Sequence, residues 1–256
     1  MYAEKLRLDG RVAVVTGGGQ GIGLACARAL GEFGARIVLA DIDLEVAREG
    51  CAALAAAAIE AEALPVDVTR PAEVDDLARE VVGRRGRVDI LVANAGIGRS
   101  GTAAEDVPDE LWLHVNDVNY NGVFWCNRAF ARPMLKAGRG AIVNIGSMSG
   151  LITNRPQKQS YYNASKGAVH QLTQSLAAEW ADRGVRVNAV APTYIDTPMT
   201  AHAAAAGLLD HWLRDTPMAR LGRPDEVASA VHFLASDAAS LVTGTVVVAD
   251  AGFTCW

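Results

Sequence analysis

The chain has 256 residues, half of them hydrophobic, with a net charge of −5. That supplies apolar material for one sizeable core, and the dispersed charge, with no basic patch or like-charged block, excludes a nucleic-acid reader and a charged disordered tail. No apolar run reaches the ~20 residues of a membrane span, and residues 1–10, with Glu4, Lys5, Arg7 and Asp9, lack the apolar centre of a signal peptide; a cytoplasmic protein is expected.

The first predicted strand, 11–16, runs into Thr16-Gly17-Gly18-Gly19-Gln20-Gly21-Ile22-Gly23 and then a helix over 24–34. Strand, glycine turn and helix N-terminus together make a phosphate cradle: the backbone approaches a pyrophosphate closely, and free N–H groups and the helix dipole face it. The spacing here is G-x-x-x-G-x-G, through Gly17, Gly21 and Gly23. The second strand, 36–40, is followed by Asp41, about twenty residues beyond the glycines, where a carboxylate accepts both ribose hydroxyls of NAD. It repels the extra phosphate of NADP, and no Arg or Lys stands at 18, 42 or 43 to offset that repulsion.

An alanine-rich helix is expected over 44–63, then strands over 63–68 and 88–94 and a long helix over 109–136 that holds Asn119, Phe124, Trp125 and Phe130. The strand over 141–147 ends in Gly146-Ser147-Met148-Ser149, which puts a hydroxyl at a strand's carboxyl end. The helix over 161–182 carries Tyr162 and Lys166 at i and i+4, on one face, whereas Tyr161 at i+5 from Lys166 points elsewhere. A phenol of pKa ~10 is a poor base at neutral pH; a neighbouring ammonium favours the phenolate. A strand over 185–190 precedes an irregular excursion, 191–224, with Pro192, Pro198, Pro217 and Pro224 around Leu208, Leu209, Trp212 and Leu213. Such an excursion after a strand suits a substrate-binding lid, although a surface helical insertion has the same composition. The last strand is 245–250.

Val-, Ile- and Leu-rich strands with little alternation, separated by helices, imply strands buried on both faces. The expected fold is a single α/β, Rossmann-type, doubly wound domain over 1–256, with a seven-stranded parallel sheet and right-handed crossovers. Cys26, Cys51, Cys126 and Cys255 form no C-x-x-C, and the five histidines form no H-x-x-x-H pair, so neither a disulfide framework nor a locally spaced zinc site is expected.

Jointly, Thr16–Gly23, Asp67-Val68, Asn94-Ala95-Gly96, Asn119, Ser147, Tyr162, Lys166 and Pro192 with Thr197 resemble the short-chain dehydrogenase/reductase family, in its NAD-dependent subgroup. The resemblance runs from residue 10 to the end of the chain. It implies a tetrad in which Tyr162 is the acid/base, Ser147 orients the substrate oxygen, Lys166 holds the nicotinamide ribose and tunes Tyr162, and Asn119 supports a water. It implies cofactor contacts from Gly17, Gln20, Gly21, Ile22 and Gly23, from Asp41 and Ile42, and from Asp67 and Val68 at the adenine. Asn94, Ala95 and Gly96 would line the inner half of the nucleotide. Tyr162, Lys166, Pro192, Ile195 and Thr197 would surround the nicotinamide.

Three positions depart from the family pattern: Ala93 replaces a first Asn, Gly146 a first Ser, and Thr193 the Gly that usually follows Pro192. The stretch 146–157 and both termini resemble polyol dehydrogenases of the galactitol, xylitol or arabinitol type. They imply a sugar-alcohol substrate held by Ser147, Ser149, Asn154 and Tyr162, with Gln157 nearby. The resemblance also implies a homotetramer, built partly through the two long helices, with the C-terminal carboxylate of Trp256 as a candidate ligand for a divalent cation such as Mg. Fold and tetrad suit equally a carbonyl reductase for a 3-oxoacyl, steroid or small ketone substrate. A non-catalytic NAD-binding regulator is the reading that the intact tetrad opposes.

Overall fold

The computed structural model describes residues 1–203 and 207–256. Seven parallel strands form one sheet in the order β3-β2-β1-β4-β5-β6-β7. They are β1 (Val12–Thr16), β2 (Arg36–Asp41), β3 (Ala61–Pro65), β4 (Ile90–Ala93), β5 (Gly140–Ile145), β6 (Val185–Pro192) and β7 (Val246–Ala249). Every residue of β1 and β4 is buried, which is why these segments read as unbroken apolar runs.

The helices, in chain order, are α1 (Tyr2–Leu6), α2 (Gly21–Glu32), α3 (Leu44–Ala55), α4 (Pro71–Arg85), α5 (Asp109–Asn116), α6 (Gly122–Ala137), α7 (Ser160–Trp180), α8 (Pro198–Ala203), α9 (Leu209–Asp215) and α10 (Pro224–Ala235). One face of the sheet packs on α4, α6 and α7 through Val74, Leu77, Phe130, Met134, Val169 and Leu176. The other packs on α2, α3 and α10 through Ala27, Leu30, Leu54, Val227, Val231 and Leu234. Strand order reverses between β1 and β4, and that switch point is where sheets of this kind open a ligand crevice at their carboxyl edge.

Several expected boundaries move. The helix expected over 44–63 stops at Ala55, because Ala58 adopts φ +58° and turns the chain into β3. The strand expected over 63–68 ends at Pro65, and Asp67 is instead in a turn, accepting from the Thr69 backbone N–H at 2.9 Å and its hydroxyl at 2.7 Å. The helix expected over 109–136 is not continuous: a π-helical turn, Asp117–Asn121, separates α5 from α6. Of its large apolar residues, Phe130 is in the core, while Trp125 is half-buried against it and meets Phe124 edge to face, with the Arg128 guanidinium 4.6 Å from the Trp125 ring centre. The region expected as a lid, 191–224, holds the end of β6, α8 and α9; 204–206 lie outside the described residues. Among the described residues, no helix is long and apolar enough to cross a membrane.

Candidate active site

The strands deliver their functional residues at their carboxyl ends, and α7 delivers Tyr162 and Lys166 from its first two turns. After β1, Gly17 and Gly21 take φ +59° and +55°, a left-handed conformation that favours glycine. A Cβ on Gly23 would lie 2.2 Å from the Gly17 carbonyl oxygen, so the turn closes against α2 only with glycine there. Gln20 precedes α2 without a side-chain cap, leaving the helix N-terminus open to a ligand.

After β4, Asn94 braces this turn. Its amide nitrogen donates to the carbonyls of Thr16 at 3.0 Å and Gly17 at 2.8 Å. The Thr16 hydroxyl in turn accepts from the backbone N–H groups of Asn94 and Ala95. Asp41, at the end of β2, accepts from the Gly19 and Asp43 backbone N–H groups, each at 3.2 Å.

A cavity of about 430 Å³ runs along this edge, lined by Gly17, Gln20, Gly21, Ile22, Asp41, Ile42, Asp67, Val68, Asn94, Ala95, Gly96 and Thr197. The expected cofactor residues therefore converge, Gly23 acting from beneath. Glycines without room for a Cβ, an open helix N-terminus and a carboxylate at the far end fit an adenine dinucleotide.

Asn94, Gly96, Ile22 and Thr197 also border a second cavity of about 410 Å³, with Ser147, Ser149, Gln157, Gln159, Tyr162, Lys166, Pro192, Thr193, Tyr194, Ile195 and Trp212. Here Ser147 hydrogen-bonds the Tyr162 phenol, and Lys166 Nζ donates to the Ile145 carbonyl at 2.9 Å. Burial pushes the Tyr162 phenol upward and the Ser147 hydrogen bond pulls it back. Lys166, 5.9 Å from the Tyr162 ring centre, is itself pushed down to about 8 by burial. The lowering of Tyr162 by the Lys166 ammonium, expected from the helical spacing, does not appear in the protein alone: burial raises the phenol, Ser147 opposes it, and Lys166 Nζ is turned to the Ile145 carbonyl.

Asn119 is fully buried in the π turn. Its Oδ1 accepts from the Ile97 N–H at 2.8 Å, and its Nδ2 donates to the Ile97 carbonyl at 3.0 Å and the Ser165 hydroxyl at 3.3 Å. Its side chain therefore ties the loop after β4 to α7, and Ile97 lines both cavities.

His170, one turn beyond Lys166, occupies the space a side chain at 146 would take: a Cβ on Gly146 would lie 2.3 Å from His170 Nε2. That explains the departure at Gly146. Burial, with the Lys166 charge adding, pushes His170 down to about 4. Thr193, the other departure in this cavity, has a buried hydroxyl with no partner among the described residues.

Two expected contacts are corrected. Asn154 does not line the cavity; it is buried behind the wall, donating to the Tyr194 hydroxyl at 2.9 Å and accepting from Gln159 Nε2 at 3.0 Å. Gln157 lines it but both ends of its amide have protein partners, the nitrogen donating to the Arg155 carbonyl at 3.1 Å and the oxygen accepting from Trp212 Nε1 at 3.1 Å and the Tyr194 hydroxyl at 2.8 Å. Tyr194 stacks on Trp212, ring centres 4.0 Å apart and 9° from parallel. Tyr194 and Gln159 were invisible to motif spacing; Trp212 stood out only as an aromatic inside the proline-bounded excursion.

No three His, Cys, Asp or Glu side chains cluster as metal ligands among the described residues. Trp256 is exposed and its indole donates to the Asp215 carbonyl at 3.3 Å.

The family model described as Enoyl-(Acyl carrier protein) reductase matches residues 17–254, and the chain belongs to this branch of the short-chain dehydrogenase/reductase family. The chain is 57% identical over 256 residues to a galactitol 2-dehydrogenase of Rhizobium johnstonii, covering 100% of this chain and 99% of the relative. Among solved structures it is similar to gox2181, with 55% identity, a TM-score of 0.98 and complete coverage of both chains. It is also similar to a gluconate 5-dehydrogenase from Burkholderia cenocepacia in complex with NADP and tartrate, with 36% identity, a TM-score of 0.94 and complete coverage of both chains.

Proposed function

We propose that this oxidoreductase interconverts a sugar alcohol and its ketose, using NAD(H). The observation that carries the reading is the meeting of Ser147, Tyr162 and Lys166 in one cavity that opens onto the dinucleotide cleft. Gly17, Gln20, Gly21 and Ile22 would hold the pyrophosphate side and Asp41 the ribose; Ile195, Thr197 and Lys166 would hold the nicotinamide side. Bound NAD supplies the hydride acceptor, so that alcohol and NAD give ketone, NADH and one proton.

The protein's own part is to place the alcohol and move its proton. Ser147 holds the reacting oxygen and Tyr162 takes its proton as the C–H bond breaks. Lys166 supplies positive charge that stabilises the phenolate once the site is filled. Asn119 fixes Ile97, so the loop between the two cavities stays in register.

The sugar-alcohol substrate rests on the similarity to the galactitol 2-dehydrogenase and on the hydroxyl- and amide-rich wall of Ser149, Gln157 and Gln159. NAD rests on Asp41, whose carboxylate borders the cleft with no basic residue at 18, 42 or 43. Initial rates with a panel of pentitols, hexitols, 3-oxoacyl thioesters and simple ketones, each with both cofactors, test the reading. The expected result is fastest turnover with a hexitol or pentitol and NAD; equal kcat/KM with NAD and NADP, or activity confined to thioesters, contradicts it.

The four cysteines are unpaired, which suits the reducing cytoplasm. The reading extends to a homotetramer. Val248 on the edge strand β7 and Trp112 and Leu113 on α5 are exposed, leaving apolar surface on two separate elements for copies to cover. The Trp256 carboxylate as a cation ligand belongs to that assembly, and light scattering with Mg and with EDTA measures both: a monomer mass at micromolar concentration contradicts the tetramer.

A further inference from the structure

Most polar side chains in and behind the wall of the substrate cavity already have protein partners. Asn154 donates one N–H to Tyr194 and accepts from Gln159, and it does not line the cavity. Asn163 donates to the Ile152 carbonyl at 3.1 Å and accepts from Gln159 at 3.0 Å. Gln157 is occupied at both ends. The Tyr194 phenol donates its one proton to Gln157 and accepts from Asn154.

Gln159 is different. Its Nε2 has two hydrogens, and both have carbonyl acceptors at 3.0 Å, Asn154 Oδ1 and Asn163 Oδ1. Ser149 Oγ lies farther from that nitrogen, at 3.4 Å. No hydrogen bond among the described residues uses Gln159 Oε1 or the Ser149 hydroxyl proton. Both residues line the cavity, and Ser149 is 5% exposed. Ser149 is also next to the chemistry, its backbone N–H donating to Ser147 Oγ at 3.1 Å. Besides the Thr193 hydroxyl and one Gln157 N–H, the wall therefore keeps an acceptor on Gln159 and a donor on Ser149 without protein partners, the two side chains 3.4 Å apart and Ser149 bonded to Ser147.

We propose that Gln159 Oε1 and the Ser149 hydroxyl form a subsite that reads a second hydroxyl, on the carbon adjoining the one oxidised, so that Gln159 sets a preference for vicinal diols over simple secondary alcohols. A hydroxyl both donates and accepts, and matches this pair; a hydrogen atom at the same carbon leaves both polar groups unmatched once the substrate covers them. Asn154 and Asn163 act one step back, holding the Gln159 amide so that its carbonyl is presented. This rests on the alcohol-oxidising reading above and adds the residues that choose the substrate.

The test compares 1,2-butanediol with 2-butanol, which share the reacting C2 and differ by the neighbouring hydroxyl. It is run with wild type, Gln159→Met and Ser149→Ala, using NAD. Two neutral hydrogen bonds make the wild-type kcat/KM ratio, diol over monoalcohol, about 10- to 100-fold. Each substitution lowers that ratio by about 3- to 10-fold, one hydrogen bond each. Loosening of Asn154 and Asn163 would slow both substrates together and leave the ratio alone, so the ratio isolates the subsite. Should Gln159→Met fail to fold, Ser149→Ala still decides the pair. A wild-type ratio near one, or a ratio unmoved in a folded variant, overturns the subsite while alcohol oxidation stands. Absence of turnover with any alcohol overturns both.

Discussion

Tyr161 and Tyr162 are neighbours in sequence with opposite fates. Tyr162 opens into the cavity, while Tyr161 is fully buried with a hydroxyl that has no partner among the described residues. A buried hydroxyl without a hydrogen bond costs about 1–3 kcal/mol relative to an apolar atom in its place. Tyr161→Phe is therefore expected to raise the melting temperature or leave it unchanged, with kcat within about twofold of wild type, since nothing of Tyr161 reaches the substrate. Differential scanning fluorimetry with a rate assay checks it; a fall in both would show that the hydroxyl has a functional partner. Spacing alone separated the two residues, because one position along a helix turns a side chain by more than a quarter of a turn. It did not show Gln159, whose role depends on which amide groups fold against it.

The element that sequence periodicity misreads is the helix around Asn119. An unbroken 3.6-residue pattern over 109–136 hides the π turn, since the extra residue shifts the faces without introducing Gly or Pro at Asp117–Asn121. That turn directs Asn119 onto both polar backbone groups of Ile97. Asn119→Ala leaves two backbone groups and Ser165 short of a partner, and is expected to cost about 2–4 kcal/mol of stability. It should also lower kcat/KM for alcohol and cofactor together, because Ile97 borders both cavities. Chemical denaturation and initial rates check this; an unaltered midpoint would show that Asn119 does not anchor the loop. The strands, in contrast, were legible, since β1, β4 and β6 are buried almost throughout and need apolar side chains at consecutive positions. The ends of β3 and α3 were not, because Ala58 and Pro65 act through backbone geometry rather than hydropathy.

Across the whole molecule, seven parallel strands end on one edge, and residues as far apart as Gly17 and Trp212 meet there at two joined cavities. The same convergence buries His170 between Gly146, Gly150 and the Lys166 turn. Its ordinary value of 6.5 falls to about 4 in the folded protein, through burial and then the Lys166 charge. Between those values the unfolded chain takes up a proton that the folded chain refuses. The stabilisation is complete above pH 6.5 and is lost as pH falls towards about 4. Melting temperature should therefore drop less between pH 7 and pH 5 in His170→Leu than in wild type; an equal slope would assign acid sensitivity elsewhere.

The central claim is that this edge carries out alcohol oxidation through the Tyr162 oxygen. Tyr162→Phe removes that one atom and keeps the ring, so fold and cofactor cleft persist. The decisive measurement is kcat for NADH formation by Tyr162→Phe with the best polyol, alongside NADH affinity by fluorescence. The account predicts near wild-type affinity and a kcat lowered by about 10²- to 10⁴-fold, the usual contribution of a positioned acid/base. Retention of more than about a tenth of wild-type kcat would contradict it.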